Sequence, residues 1–387
     1  MKLEIYDYVI VGGGMSGLSL AKEMILAGLT KEKKLLVIEK RDKYERDKIW
    51  SFWNIDQSNY QKVTLKTWGS FSLSYHDEEI IIDNTYNYVS VDSKLFYSEI
   101  IDKINSDKNS TIMMNSRVKH IHYNDNVISI ELSNQIHIKT KYLFDSSYEI
   151  NSINLGPYDL YQHFKGIEIE IKNDKFDPEK FNLMDFNSPQ KDGLHFMYIL
   201  PLSKRKALIE ATWFSKQVLS NERYQSYIDN YLEKIGITKY DIHYEEIGVI
   251  PMFVSSLNHS PKLNNLIYIG TKGGLTRSST GYTFLNSQNH AKNIVNSLKY
   301  KKESSIHVIP KRSRFMDEIF LRVLSKYPHL GPKIFIELFK RNSSNTIIHF
   351  LSGTSSIKED LRIMIKIPHI LYFVKEAILQ LFKKLIY

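Results

Sequence analysis

Residues 6–39 constrain the fold more than any other stretch of the chain. Tyr6-Asp7-Tyr8-Val9-Ile10-Val11 reads as a short buried strand, and it leads straight into Gly12-Gly13-Gly14-Met15-Ser16-Gly17. Leu18, Leu20, Ala21, Met24, Ile25 and Ala27 then recur at helical spacing, and Gly28 closes that helix. A second strand, Lys34-Leu35-Leu36-Val37-Ile38, ends on Glu39. This order is the βαβ fingerprint of a dinucleotide-binding fold. Gly12 permits the tight turn, Gly14 lets the backbone approach a pyrophosphate, and Gly17 lets helix and strand pack closely. The helix N-terminus, with Gly13 and Ser16 beside it, offers unpaired amides and a positive dipole end to phosphates. Glu39 is placed to accept hydrogen bonds from ribose hydroxyls, and an acid at this point predicts FAD or NAD rather than NADP.

Composition narrows the class. A chain of 387 residues supports two or three structural units, and its 42% apolar and 25% charged residues are ordinary for a globular protein. It has no cysteine, which excludes disulfides, thiolate metal sites and cysteine nucleophiles and fits a reducing cytoplasm. No metal site is expected. The first strand begins almost at once, which predicts no signal peptide. No run of about eighteen uncharged apolar residues is present, so no spanning helix is expected. The net charge of +9 is scattered except near the C-terminus, and no nucleic-acid motif accompanies it.

Strand-like stretches fill the middle of the chain. Residues 71–75, 79–82, 142–145, 166–171, 196–201 and 206–212 have strand patterns, and 127–132 with 135–138 reads as a hairpin. Tyr224 to Ile235 is helical, Asn265 to Gly270 is another buried strand, and a helix follows from Phe284 to Leu298. The pattern predicts an α/β protein. A Rossmann-type unit (1–65, 92–150 and 245–300) is interrupted by an antiparallel β-sheet unit (66–91 and 151–244), with a helical C-terminal cap over 301–387.

Several segments carry a more specific likeness. They include Asp47 to Trp53, Tyr88 to Asp92, Phe144-Asp145-Ser146, Gln162 to Gly166, Leu183 to Phe186, Phe196 to Pro201, Ala207 to Thr212, and Glu246 to Met252. The longest is Ile269-Gly270-Thr271-Lys272-Gly273-Gly274-Leu275-Thr276-Arg277-Ser278-Ser279-Thr280-Gly281-Tyr282-Thr283-Phe284, and Phe350-Leu351-Ser352-Gly353 extends it toward the C-terminus. In order and spacing the chain resembles the flavin-dependent lycopene cyclases, in particular the bacterial lycopene β-cyclases. It departs from them at Lys272, where a small residue is usual, and at Ser278, where proline is usual. At Glu210-Ala211 it keeps one carboxylate of the acidic pair typical of the plant enzymes.

The resemblance implies an intramolecular, redox-neutral isomerisation. A linear carotenoid end group is protonated, the cation closes to a six-membered ring, and a proton is lost, turning lycopene into γ- or β-carotene. It implies FAD in its reduced form, with NAD(P)H only as reductant. Gly270, Gly273 and Gly274 would meet the cofactor's phosphates and ribityl chain, with Asp145, Lys40 and Val118 close to it. Glu210 is the expected acid and base, because a carboxyl in apolar surroundings stays protonated. Strand alternation alone leaves open whether it faces solvent or a cavity. Asp185 is a second carboxylate candidate. Trp50, Phe52, Trp53, Phe196, Tyr198 and Tyr282 are expected to line the pocket and stabilise a cation, although core packing explains any one of them equally well. His163 and His195 are candidate proton handlers, or structural hydrogen-bonders.

A bilayer-borne polyene predicts a peripheral membrane protein. Ile370, Leu371, Val374, Ala377, Ile378, Leu381, Phe382 and Leu385 fall on one helical face, with Lys375, Lys383 and Lys384 off it. Such a face suits either a lipid surface or the protein's own core. Rival readings on the same scaffold are a flavin monooxygenase, a prenyl reductase and a non-catalytic prenyl-binding escort protein.

Overall fold

The computed structural model describes residues 5–124, 127–149, 155–253, 265–300 and 308–386. The first half runs β1 (Ile5–Val11), α1 (Met15–Leu26), β2 (Leu35–Ile38), β3 (Ile49–Trp53), β4 (Thr64–Tyr75), β5 (Glu78–Asp92), α2 (Ser93–Ser106), β6 (Ser110–Met113), β7 (Val118–Asn124), β8 (Val127–Leu132) and β9 (His137–Asp145). The middle runs β10 (Leu160–Glu170), β11 (Lys180–Asp185), β12 (Leu194–Pro201), β13 (Lys206–Ser215), α3 (Asn221–Lys234), β14 (Asp241–Met252), β15 (Leu266–Tyr268) and α4 (Phe284–Tyr300). The C-terminal region is helical: α5 (Lys311–Lys326), α6 (Gly331–Arg341), α7 (Ser344–Ser352), α8 (Ile357–Lys366) and α9 (Ile370–Ile386).

Two sheets organise these elements. The seven-stranded sheet has the order β6-β2-β1-β9-β8-β7, with β15 pairing in parallel to β9. Strands β6, β2, β1 and β9 are mutually parallel, as expected for runs such as Val9-Ile10-Val11 and Leu35 to Ile38 that are apolar on both faces. Residues 135–138 and 142–145 do not form separate strands: His137 to Asp145 is one strand, antiparallel to β8 and parallel to β1. Helices α1, α2 and α4 cover one face through Leu18, Ala21, Phe96, Ile100, Phe284 and Ile294.

The eight-stranded sheet has the order β14-β10-β13-β12-β11-β4-β5-β3 and is antiparallel except between β11 and β4. Alternation along its strands sets two different faces. Ile167, Ile209, Ala211 and Trp213 point to α3 and pack on Tyr224, Ile228 and Leu232. Phe196, Leu208 and Phe214 point the other way, against Phe335 and Phe339 of α6. Arg277 and Asp317 form a buried ion pair at 3.0 Å, and Ser279 donates to the same carboxylate at 2.7 Å. This clamp fixes the loop before α4 to helix α5.

Helix α9 is packed in an unusual sense. Glu376 and Gln380 are each 1% exposed, whereas Leu371 is 79% and Phe382 60% exposed. Lys326 of α5 donates to Glu376 at 2.5 Å, and Gln380 hydrogen-bonds Glu318. The face expected from the sequence is therefore turned outward along Ile370, Leu371, Val374, Ile378, Leu381 and Phe382, with Ala377 half-buried. The side chains of Lys383, Lys384 and Leu385 lie outside the described residues. Ile357, Leu361 and Ile365 of α8 are also exposed. Among the described residues no helix is long and apolar enough to cross a membrane.

Candidate active site

A cavity of about 1080 Å³ is walled by both sheets, the 276–284 loop and the C-terminal helices. One end is built by the glycine-rich turn. Gly12, Gly14, Ser16, Glu39, Lys40 and Val118 line it, joined by Gly270. Gly12 has φ +94°, and a Cβ there would overlap the Ser146 side chain. A Cβ at Gly17 would collide with the Gly12 carbonyl, so the helix can approach the turn this closely only with glycine. Gly14, the N-cap of α1, supplies no side-chain cap, and a Cβ on it would meet nothing within 4 Å. The first-turn amides of α1 are thus left facing open space, which fits a phosphate-bearing ligand.

Glu39 is buried at this end. It accepts from the Arg41 amide at 2.9 Å and from the Arg41 guanidinium at 3.1 Å. Burial opposes its charge, but these hydrogen bonds outweigh that cost and hold its carboxyl below the ordinary value. Arg41 and Tyr44 both donate to the Gly13 carbonyl at 2.9 Å, which keeps Gly13 behind the turn rather than on the cavity wall.

The other end is aromatic. Trp50, Phe164, Phe196, Tyr198, Phe214 and Tyr282 line it, with Phe335 and Phe339 closing from α6. Glu210 on β13 reaches into this end, so alternation is settled in favour of the cavity. Its Oε1 accepts from the Thr212 hydroxyl at 2.5 Å. Burial, reinforced by the charge of Glu246, pushes its carboxyl up to about 8, against weaker opposition from Thr212 and Lys48. Tyr198, its cross-strand neighbour, donates to Tyr88 at 2.9 Å, and Tyr88 hydrogen-bonds Tyr282. Burial raises all three phenols well above their ordinary value, so they are neutral. At neutral pH the aromatic end therefore holds a protonated carboxylic acid among uncharged π faces, a setting suited to proton donation and to a cation.

The lycopene cyclase protein family model matches residues 7–375. This chain belongs to the lycopene cyclase family. It is 26% identical over 300 residues to the chloroplastic lycopene beta cyclase of Arabidopsis thaliana, covering 73% of this chain and 58% of that enzyme. It is 22% identical over 378 residues to the lycopene beta-cyclase of Pantoea ananas, covering 93% and 94% of the two chains. The chain thus spans little more than half the length of the plant relative. The fold is shared with a flavoprotein/dehydrogenase from Cytophaga hutchinsonii, at a TM-score of 0.64 and 11% identity over 98% of this chain and 100% of that one.

The family segments do different physical work. In the longest, Gly270 lines the cavity, while Gly273 and Gly274 turn the chain behind it. Lys272, one of the departures, forms an ion pair with buried Asp145, whose other oxygen accepts from the Ser147 amide at 2.8 Å. Asp145 is therefore occupied within the protein and does not line the cavity. Ser278, the second departure, donates to the Phe253 carbonyl at 2.8 Å.

The other expected residues divide in two. Trp50, Phe196, Tyr198 and Tyr282 are on the cavity wall; Phe52 and Trp53 stand behind it. Phe52 stacks on Phe284 at 4.6 Å, and Trp53 packs on Tyr88 at 4.7 Å. Asp185 is not brought to Glu210: it accepts from Tyr231 of α3 at 2.7 Å and lines no part of the cavity. His163 and His195 face α3 as well. His163 hydrogen-bonds Tyr224 and Ser215, and His195 stacks on Trp213 at 3.7 Å.

Glu246 was not among the expected site residues, although it opens one of the family segments. Its signal lay in alternation with Gly248 and Ile250, which places it on the cavity-side face of β14. Only the pairing β14-β10-β13 reveals that this face is shared with Glu210.

Proposed function

We propose that this chain closes the linear end group of a carotenoid, lycopene being the expected substrate, into a β-ring, with Glu210 as acid and then base. The observation that carries this reading is the buried Glu210 carboxyl, lining an aromatic cavity that continues to the glycine-rich cradle; burial raises it to about 8, which favours the protonated acid at neutral pH. The proton passes from Glu210 to the terminal alkene. The resulting cation is attacked by the next double bond, and the ring forms. Glu210, now a carboxylate, takes a proton from the ring carbon, so no atoms or electrons are gained or lost. Trp50, Phe196, Tyr198 and Tyr282 present π faces to the cation and exclude water.

The glycine-rich end fits FAD. Gly12, Gly14 and the first-turn amides of α1 would hold the phosphates, Glu39 the ribose, and Gly270 the approach of the ribityl chain. Reduced FAD supplies negative charge that stabilises a nearby cation, with NAD(P)H serving as its reductant. The outward apolar face of α9, joined by α8, supports docking on a lipid surface, from which the polyene would enter. The protein would then be cytoplasmic and peripheral to the membrane.

Expression in a lycopene-accumulating bacterium tests the reading. The expected result is a pigment of unchanged mass with the absorbance and retention of γ- or β-carotene. Lycopene left unchanged would overturn it. A product heavier by oxygen or by hydrogens would replace it with the monooxygenase or the reductase reading.

A further inference from the structure

Gly166 of β10 pairs with Glu210 of β13 on one side and with Glu246 of β14 on the other, so the two glutamates stand on one row across three strands. Both are buried. The bare backbone leaves the space between them open: a Cβ at Gly166 would lie 3.4 Å from Glu246 Cγ and 3.6 Å from Glu210 Cβ, and the charge of Glu246 is felt at the Glu210 carboxyl. The partners of the two carboxyls differ. Among the described residues Glu210 has only the Thr212 hydroxyl as a hydrogen-bond donor, and the phenols of Tyr198 and Tyr88 lie near it. Glu246 Oε2 accepts from the Ile49 amide and the Tyr244 hydroxyl, each at 3.1 Å. Cationic groups also gather on the Glu246 side. Lys48 is anchored to the Ile247 carbonyl at 2.8 Å, and Arg46 lies over the Tyr244 ring at 4.2 Å. The charge of Arg46 is shared with Asp92 and Glu168, and Glu168 also pairs with Lys206. Asp47 beside them is bound to Arg41 and Tyr97. Glu246 does not line the cavity, whereas Glu210 does.

We propose that Glu246 is a positioning residue for the proton: the pair holds one proton, the negative charge is seated on Glu246, and the transferable proton therefore stays on Glu210. The role of the proton rests on the cyclisation reading, but the sharing itself does not. Two adjacent buried carboxylates resist ionising together, so the first charge goes where donors and cations are ready for it. The arrangement also resets itself. When Glu210 gives its proton to the alkene, both carboxylates are charged. That doubly charged pair is a stronger base than Glu210 alone and recovers the proton that the ring carbon releases.

The experiment uses the full-length, FAD-loaded protein with ¹³C-labelled glutamate, followed by infrared titration of the protonated carboxyl band, and beside it the pH profile of cyclisation. Wild type, Glu246→Gln, Glu246→Asp and Glu210→Gln are compared. In Glu246→Gln the Glu210 titration and the alkaline limb of activity should both move down by about one pH unit or more, with FAD content unchanged. Glu246→Asp, which keeps the charge, should restore most of the profile. Glu210→Gln should leave a single step at the position of the lower wild-type step, because Glu246 ionises while Glu210 is still neutral. If Glu246→Gln does not fold, Lys48→Met decides: without that cation the Glu246 step should move up, and a step unmoved by the loss of Lys48 would overturn the seating of the charge. An unmoved Glu210 titration in Glu246→Gln, or activity lowered at every pH alike, would also overturn the proposal. Coupled titration without any cyclised pigment would keep the pair and discard the cyclisation reading.

Discussion

Strands β10 to β14 bury titratable groups on both faces of their sheet, and the contrast between those faces separates structure from chemistry. Toward α3, His163, His195 and Asp185 sit among Trp213, Tyr224, Tyr227 and Tyr231, each histidine and the aspartate with a hydrogen-bond partner. Toward the cavity, Glu210 and Glu246 sit beside Tyr198 and Tyr88. Burial moves the two histidines of the first set and both glutamates of the second. It drives His163 and His195 down to about 4 and lifts Glu210 to about 8. On the α3 side the shifted groups are sealed under a helix and neutral, so their perturbation is a property of packing. On the other side the shifted group meets open volume. A displaced pKa marks a reactive group only where something can reach it.

The largest effect should come from the cavity side. Glu210→Gln keeps shape and burial but removes the transferable proton, and should lower turnover by about 10²–10⁴-fold while FAD stays bound. Pigment analysis and flavin absorbance check this together; substantial turnover in the variant would erase the distinction between the faces. Next, Trp213→Ala on the α3 side should cost about 3–5 kcal/mol of stability, because it empties the space between His163 and His195. Activity per folded molecule should be retained, as measured by denaturant unfolding beside rates normalised to folded protein. A selective loss of rate with stability intact would move the chemistry to the wrong face.

The two faces also respond oppositely to pH. The histidines titrate below the 6.5 of an ordinary histidine, so the unfolded chain binds more protons. Their contribution is full above 6.5 and is lost as pH falls through about 4. Glu210 titrates above the ordinary 4.5, so the folded chain binds more protons. Its contribution is full below 4.5 and is lost as pH rises through about 8, and activity should fall over the same alkaline range. Urea midpoints across pH should therefore decline at both ends, with the alkaline decline reduced in Glu210→Gln and the acid decline unchanged. An alkaline limb identical in wild type and variant would refute the assignment. The smallest effect on folding should come from Leu371→Ser with Phe382→Ser on the exposed face of α9, within about 0.5 kcal/mol each. Co-sedimentation with anionic lipid vesicles should nonetheless be lost; unchanged sedimentation would free this helix of any lipid role.

Much of the scaffold was legible because its signals are local. The run from Tyr6 to Glu39 combines glycines, helical spacing and two apolar strands within one βαβ unit, and the chain folds that way. Glu210 was legible from its segment, but its direction was not, since Ile209 and Ala211 are as buried as Glu210 itself. Only the helix on one side and the cavity on the other tell the faces apart. Asp185 and Glu246 show the same limit from opposite directions. Each is an acid in a family segment, and only strand order puts one under α3 and the other beside Glu210. For α9, helical spacing identified the apolar stripe, whereas its outward orientation follows from long-range partners, Lys326 and Glu318, that periodicity does not encode.

The bare backbone at Gly166 has a consequence for how this sequence can drift. Alanine would put a methyl group 3.3 Å from the end of the Leu208 side chain, a contact that a small shift of that flexible group relieves. Every other side chain is bulkier and would reach Glu246 Cγ and Glu210 Cβ, which lie 3.4 and 3.6 Å from the first added carbon. Drift at this position should therefore stop at alanine, while positions beside it vary more freely.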